Sequence, residues 1–232
     1  MTDNFGRVLL YSGGMDSVAL SLLEPWDMKL YVDMGTRYSN AERAKLPDDV
    51  RVVDLPLGAW ERPDAIIPLR NLLLVCVAAQ YGDVVAMAAT AGDRVLDKTQ
   101  EFANHASALL SYLWQPQHWT DGKQVSVVLP TKHLTKRQLV ARVAALGAEA
   151  LVDLANSFSC YDPGDPRGLA PECGACKPCV RKWVAFAAEG HGHLVVDAEP
   201  AARLQAAAIR AGTWDRGEAE AADVLAALGE AA

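Results

Sequence analysis

The strongest constraint on the fold lies between residues 7 and 23, where an apolar run, a glycine loop and a second apolar run follow without a break. Arg7-Val8-Leu9-Leu10-Tyr11 reads as a strand, Ser12-Gly13-Gly14-Met15-Asp16-Ser17 as a tight loop, and Val18-Ala19-Leu20-Ser21-Leu22-Leu23 as a helix stopped by Pro25. A strand that turns through glycines directly into a helix begins a β-α unit. Such units stack into parallel sheets covered by helices on both faces. The remaining pattern agrees, with strands expected at residues 29–33, 51–55, 84–89 and 125–129. Helices are expected at residues 40–46, 69–81 and 98–114, and from a Thr135 cap through Leu146 to Gly147. Residues 84–89 lack polar alternation, as a strand buried on both faces does.

The loop itself carries chemistry. Glycines let backbone N–H groups approach an anion, Ser12 and Ser17 add hydroxyl donors, and the helix N-terminus supplies positive potential. No lysine stands inside the loop, so it is not a Walker A loop. The bland alternative is a glycine turn capped by serine. The strand–loop–helix context, with Asp16 between the hydroxyls, favours a phosphate cradle.

Four of the five cysteines crowd into twenty residues as Cys160-x12-Cys173-x2-Cys176-x2-Cys179. That spacing suits a closed, structural tetrahedral zinc site, with an iron–sulfur cluster as the competing occupant. Cys76, inside an apolar helix, reads as a small buried hydrophobe.

With 51% hydrophobic residues the chain can bury a sizeable core. It contains neither an 18-residue apolar run nor a charged-then-apolar leader, so a soluble, cytoplasmic, membrane-free protein is expected. The net charge of −7 argues against a general nucleic-acid surface. Seven acids and three arginines fall in residues 197–232, so the body is only weakly acidic and has room for a basic pocket. The expected organisation is a phosphate-loop domain at 1–155, a cysteine module rich in glycine and proline at 156–190, and an alanine-rich helical tail at 191–232.

The Ser12–Ser17 loop resembles the SGGxDS loop of the PP-loop ATP pyrophosphatases. Taken with the cysteines, the chain resembles the 7-cyano-7-deazaguanine synthase (QueC) family over most of residues 6–190. The resemblance is carried by Met34-Gly35-Thr36-Arg37-Tyr38 with Glu42, by Pro68-Leu69-Arg70-Asn71, and by Asp97-Lys98-Thr99 followed by Glu101-Phe102. Lys136 extends it, as do Ser159-Cys160-Tyr161 and Cys173-Gly174-Ala175-Cys176-Lys177-Pro178-Cys179 with Arg181.

The resemblance implies a Rossmann-like sheet of the adenine nucleotide alpha hydrolase type, with ATP, Mg²⁺ and Zn²⁺ as cofactors. Ser12, Asp16, Ser17 and Lys136 would be catalytic. Tyr11, Ser12, Gly13, Gly14, Met15, Asp16, Ser17 and Arg37 would hold ATP, and Arg70, Asn71 and Asp97 would hold the substrate. That substrate would be 7-carboxy-7-deazaguanine, condensed with ammonia, in a homodimer. The alternatives are transfer of the activated acid to a macromolecular amine, or a zinc-ribbon binding module on an inactive PP-loop domain.

The chain departs from the family pattern at several points. Thr99 stands for an arginine, Lys98 for a cysteine and Tyr38 for a histidine. The segment before Asp97 is about two residues shorter, and Met87 lies near a family glycine. All fall on the side assigned to substrate, where they predict weakened hold on a small free acid or room for a larger acceptor.

Overall fold

The structure is a computed structural model that describes residues 5–162, 164 and 171–230. Its centre is a five-stranded parallel sheet: β1 (Phe5–Leu10), β2 (Met28–Asp33), β3 (Val50–Asp54), β4 (Gly82–Met87) and β5 (Ser126–Val128). The strand order is β3-β2-β1-β4-β5. β1 is the middle strand, with Val8 opposite Met28 on one side and Val85 on the other. The two-residue period of a strand sends alternate side chains to opposite faces. Leu9, Tyr31 and Ala86 therefore enter one core, and Val8, Leu30, Val32 and Val85 enter the other.

The first core is covered by α1 (Met15–Leu23), α5 (Lys136–Ala144), α6 (Ala148–Ala155) and α7 (Lys177–Ala187). The second is covered by α3 (Arg70–Ala78) and α4 (Gln100–Leu113). A short α2 (Ser39–Arg43) follows β2. The expected strands and helices are present, with ends shifted by a few residues. At Thr135 the cap is a full capping box, its hydroxyl accepting from the Gln138 amide while Gln138 reaches back. α6 has no counterpart in the sequence reading.

The tail forms α8 (Glu199–Arg210) and α9 (Glu218–Ala227). Ala202 and Ala206, four residues apart on one face and fully buried, let α8 approach α7 closely. Residues Ala185 and Phe186 of α7 enter the sheet core, whereas Val180, Trp183 and Val184 meet the tail. That one helix thus ties the cysteine segment, the tail and the sheet together. Among the described residues no helix is long and apolar enough to cross a membrane.

The chain proceeds from β1 outward to β2 and β3, then returns to place β4 on the other side of β1. At such a switch point the loops after adjacent strands diverge and leave a crevice beyond their carboxyl ends, where ligands of open α/β sheets bind.

Candidate functional site

The Ser12–Ser17 loop leaves β1 at this switch point. Ser17, buried in the first turn of α1, donates its hydroxyl to the Gly14 carbonyl at 2.9 Å and accepts the Ser12 amide at 3.2 Å. The loop is therefore held in shape by its own serines. It is also held from far along the chain: the Phe158 amide donates to the Gly13 carbonyl at 2.9 Å, and the Met15 amide donates to the Ser159 hydroxyl at 3.3 Å. Asp16 faces outward and pairs with Lys136, the first residue of α5. A cation at a helix N-terminus is unfavourable by itself. Here burial lowers the lysine's pKa while Asp16 opposes the shift.

The loop forms one wall of a cavity of about 330 Å³. Facing it are Tyr38 and Glu42 from around α2, Arg70 and Asn71 from the start of α3, and Asp93 and Lys98 from the segment after β4. Lys136, Lys177, Arg181 and Arg216 complete a cationic side. Burial raises the Glu42 carboxyl to about 7, although it accepts the Tyr31 hydroxyl at 2.8 Å and Arg70 lies near. A carboxyl poised near neutrality in a cleft is a candidate proton acceptor. Asp93 goes the other way. Burial would raise it, but Lys98, Lys136, the Thr90 amide and Arg181 together hold it well below the usual carboxylate range. Burial also raises the phenol of Tyr38 to about 12, and its ring stacks on Tyr161 with centroids 5.7 Å apart.

The four cysteines meet on the same side of the crevice, with all four sulfurs within 4.8 Å of one another. A tetrahedral zinc–thiolate site with bonds of about 2.3 Å spaces its sulfurs about 3.8 Å apart. Observed separations are 3.4 Å for Cys176–Cys179, 3.9 Å for Cys173–Cys179 and 4.0 Å for Cys160–Cys176. Backbone amides of Cys173 and Asp162 point at the Cys160 sulfur at 3.4 Å, and the Cys176 amide points at Cys173 at 3.3 Å. Such N–H···S bonds favour thiolates, so the cluster can hold a metal ion such as zinc. Gly174 makes the loop possible. Its φ is +70°, and a Cβ there would sit 2.5 Å from the Asp197 carbonyl.

A buried ion pair joins this cluster to the phosphate-type loop. Lys182, 3% exposed, lies 3.0 Å from Glu172 and also donates to the Ser157 carbonyl. The other Glu172 oxygen takes the Ser159 amide. Ser159 thus connects the carboxylate, the neighbouring metal-type Cys160 and the Met15 amide within one short stretch of chain.

The family described as "Queuosine biosynthesis protein QueC" matches residues 39–190. The chain belongs to the QueC family. Among curated relatives, the 7-cyano-7-deazaguanine synthases of Brucella ovis and Brucella suis are each 28% identical over 163 residues, 67% of this chain. The enzyme of that name from Sulfolobus acidocaldarius is 30% identical over 131 residues, 53% of this chain and 25% of that protein. The match spans 64% of the length of the Brucella proteins. No solved structure matches.

The cavity gathers Tyr11, Ser12, Gly14, Met15, Asp16, Ser17, Arg70, Asn71 and Lys136 from the QueC-derived expectations. Three of the expected residues lie off its wall: Gly13, which is buried and gives its carbonyl to the Phe158 amide, Arg37 and Asp97. Arg37 is exposed and engages Glu61 at 3.1 Å and the Pro63 carbonyl. Asp97 offers its carbonyl to Asn71 at 3.4 Å. The 3₁₀ turn Leu96–Lys98 puts Lys98, not Asp97, on the cavity side, and the carboxylate of this segment that lines the cavity is Asp93. The departures from the QueC pattern also have places. Thr99 caps α4, accepting the Phe102 amide at 3.1 Å. Lys98 reaches Asp93 at 3.2 Å, so a cation absent at position 99 stands one residue earlier. Lys132 braces the same segment through the carbonyls of Thr90 and Asp93 at 3.0 and 2.8 Å.

Sequence reasoning gave no site role to Asp93, Lys182 or Arg216. A lone acid beside glycine, a lysine in an amphipathic helix and an arginine in an acidic tail carry no motif. Only their convergence in space singles them out.

Proposed function

We propose that the chain uses ATP to activate the carboxylate of 7-carboxy-7-deazaguanine, then passes the acyl group to ammonia. The observation that carries this is the Ser12–Ser17 loop at the switch point, with Lys136 paired to Asp16 at its mouth. Membership in the QueC family, with relatives that are 7-cyano-7-deazaguanine synthases, supports a deazaguanine as the substrate's ring. A carboxylate oxygen attacks the α-phosphorus and pyrophosphate leaves. Ammonia then displaces AMP to give the amide, and a second ATP activates the amide oxygen on the way to the nitrile.

The protein's part is positioning and charge neutralisation, which dominate phosphate chemistry of this kind. Loop amides and hydroxyls would cradle phosphate oxygens, Lys136 and Arg181 would face the departing charge, and Arg70 would face the acid. Asp16 is the carboxylate at the loop that would help hold Mg²⁺, which supplies neutralising charge to pyrophosphate when bound. The four cysteines would hold Zn²⁺ as a closed, structural site. A homodimer is the expected assembly, supported by the exposed Leu109, Tyr112 and Leu113 on α4.

A second reading keeps the activation step and replaces ammonia with an amine on a macromolecule. It is favoured by the exposed apolar side chains of Leu69, Val95 and Leu96, which stand within three residues of the cavity residues Arg70 and Lys98 in the chain. A small free acceptor has no use for exposed apolar side chains there. Incubation with ATP, Mg²⁺, ammonium and the acid, read by mass, tests both. AMP with amide and nitrile is the expected outcome. Amide without nitrile favours the macromolecular acceptor, and absence of both AMP and amide refutes the deazaguanine assignment.

A further inference from the structure

The tail reaches the cavity although it lies beyond residues 39–190, the stretch shared with the family. Arg216, in the turn between α8 and α9, lines the main cavity. It also lines a second cavity of about 150 Å³, whose wall shares Lys136, Lys177 and Arg181 with the first. Its Nη2 donates to the Gly92 carbonyl at 2.8 Å, and Nε and Nη2 donate to Glu220 at 2.6 and 3.0 Å. Glu220 is also 3.1 Å from Arg181, which faces Asp93 at 3.5 Å. Arg94 donates to the Asp215 carbonyl.

The seating is close. A Cβ on Gly92 would lie 2.4 Å from a Glu220 oxygen and 2.7 Å from an Arg181 nitrogen, so the segment after β4 and the tail touch without room for a side chain. Lys136, Lys177, Arg181 and Arg216 meet where the two cavities adjoin, and although Asp215 and Asp223 line the second, the main cavity's wall carries seven Lys and Arg side chains against Asp16, Glu42 and Asp93, an excess that the outlying Glu172 and Glu220 do not remove. In a chain of net charge −7 this local excess suits an arriving anion. A guanidinium offers five donors in a planar fork. Arg216 spends Nε and Nη2 on Glu220 and Gly92, and among the described residues no protein acceptor takes its Nη1.

We propose that Arg216 is an anion-contacting residue of the cavity. The tail holds its guanidinium rigidly so that Nη1 meets the polyphosphate of a nucleoside triphosphate lying along the Ser12–Ser17 loop. The tail is then a wall of the binding site, and its docking through Glu220 and Gly92 orients the arginine. This rests on the nucleotide reading given above, and the test separates the two.

Calorimetric titration of the full chain with ATP, AMP and pyrophosphate, each with Mg²⁺, is compared with that of Arg216→Ala, Arg216→Lys and Arg94→Ala. Arg94 takes part in docking the tail but does not line either cavity. Loss of one charge-assisted contact should weaken ATP and pyrophosphate about 10- to 100-fold in Arg216→Ala, with AMP unchanged. Arg216→Lys should recover part of the loss, and Arg94→Ala should lose much less than Arg216→Ala, because Glu220 and Gly92 still hold the guanidinium. Unaltered ATP binding in Arg216→Ala overturns the proposal, as does equal loss of AMP or an equal loss in Arg94→Ala. A parent chain that binds pyrophosphate through Arg216 but not ATP overturns the nucleotide reading alone. One that binds neither overturns both.

Discussion

Replacing Glu42 with glutamine should make the protein more stable, and only above a definable pH. Burial lifts this carboxyl from its ordinary 4.5 to about 7. A change of that size, at about 1.4 kcal/mol for each tenfold change in proton affinity, makes the ionised side chain cost the folded state about 3 kcal/mol. The sign follows from which state holds the proton. Below about pH 4.5 the group is protonated in both states and costs nothing. As pH rises toward 7 the unfolded chain releases its proton first, so stability falls, and above about 7 the whole penalty is present.

Glutamine is uncharged throughout and keeps an oxygen for the Tyr31 hydroxyl. Urea denaturation and thermal melts of the two proteins across this range should coincide at the acid end and diverge with rising pH. By pH 8 the gap should reach about 3 kcal/mol, or about 6–12 °C in Tm for a chain of this size. Acid loss of any cysteine-bound metal affects both proteins and cancels in the difference. A Glu42→Gln protein no more stable than its parent at pH 8, or a gap constant with pH, would refute the reasoning. Because the carboxyl lines the cavity, the stabilised variant should also turn over more slowly, as expected when a site is built at the expense of stability.

Three further outcomes are expected. Lys136→Met, which strands Asp16 at the loop mouth, should lower AMP formation about 100-fold or more in a steady-state assay while the melting transition is retained. Cys176→Ser should abolish stoichiometric metal binding by elemental analysis and lower the Tm, since a lost ligand opens a closed site. Glu172→Gln removes the negative partner of buried Lys182 and leaves it neutral carbonyl oxygens alone, and should cost about 3–5 kcal/mol in urea denaturation. Replacing both members by methionine should cost much less, and a double-variant cycle showing no coupling would sever that pair from stability.

The parts of this fold legible in the sequence are those where one short stretch contains the whole cause. Apolar runs without polar alternation give the inner strands, Thr135 with Gln138 gives a helix start, and the cysteine spacing gives a cluster that closes in space. The Ser12–Ser17 loop declares itself because its glycines, hydroxyls and following helix are contiguous. α6 escaped because Gly147, correctly taken as the end of one helix, also opens the next with φ +130°. That Asp93 and not Asp97 lines the cavity has a related reason. The family's aspartate has a counterpart in the motif, but a shortened connection and a 3₁₀ turn decide which carboxylate looks inward. Arg216 was beyond reach altogether, since nothing within its own turn records that Gly92 lies against it.

The clamp on the Ser12–Ser17 loop has a consequence for the order in which the protein matures. Chains emerge amino-terminus first and generally begin folding in that order. Every strand of the sheet has been made once Val128 is out, and the loop that would grip phosphate is made before four of those five strands. Yet the distant partners of that loop's backbone are Phe158 and Ser159, Asp16 is met by Lys136, and the cationic wall is completed by Arg216. A chain made as far as Val128 therefore has every strand of its sheet around an unfinished site, and a product ending before Phe158 would lack the clamp on its loop.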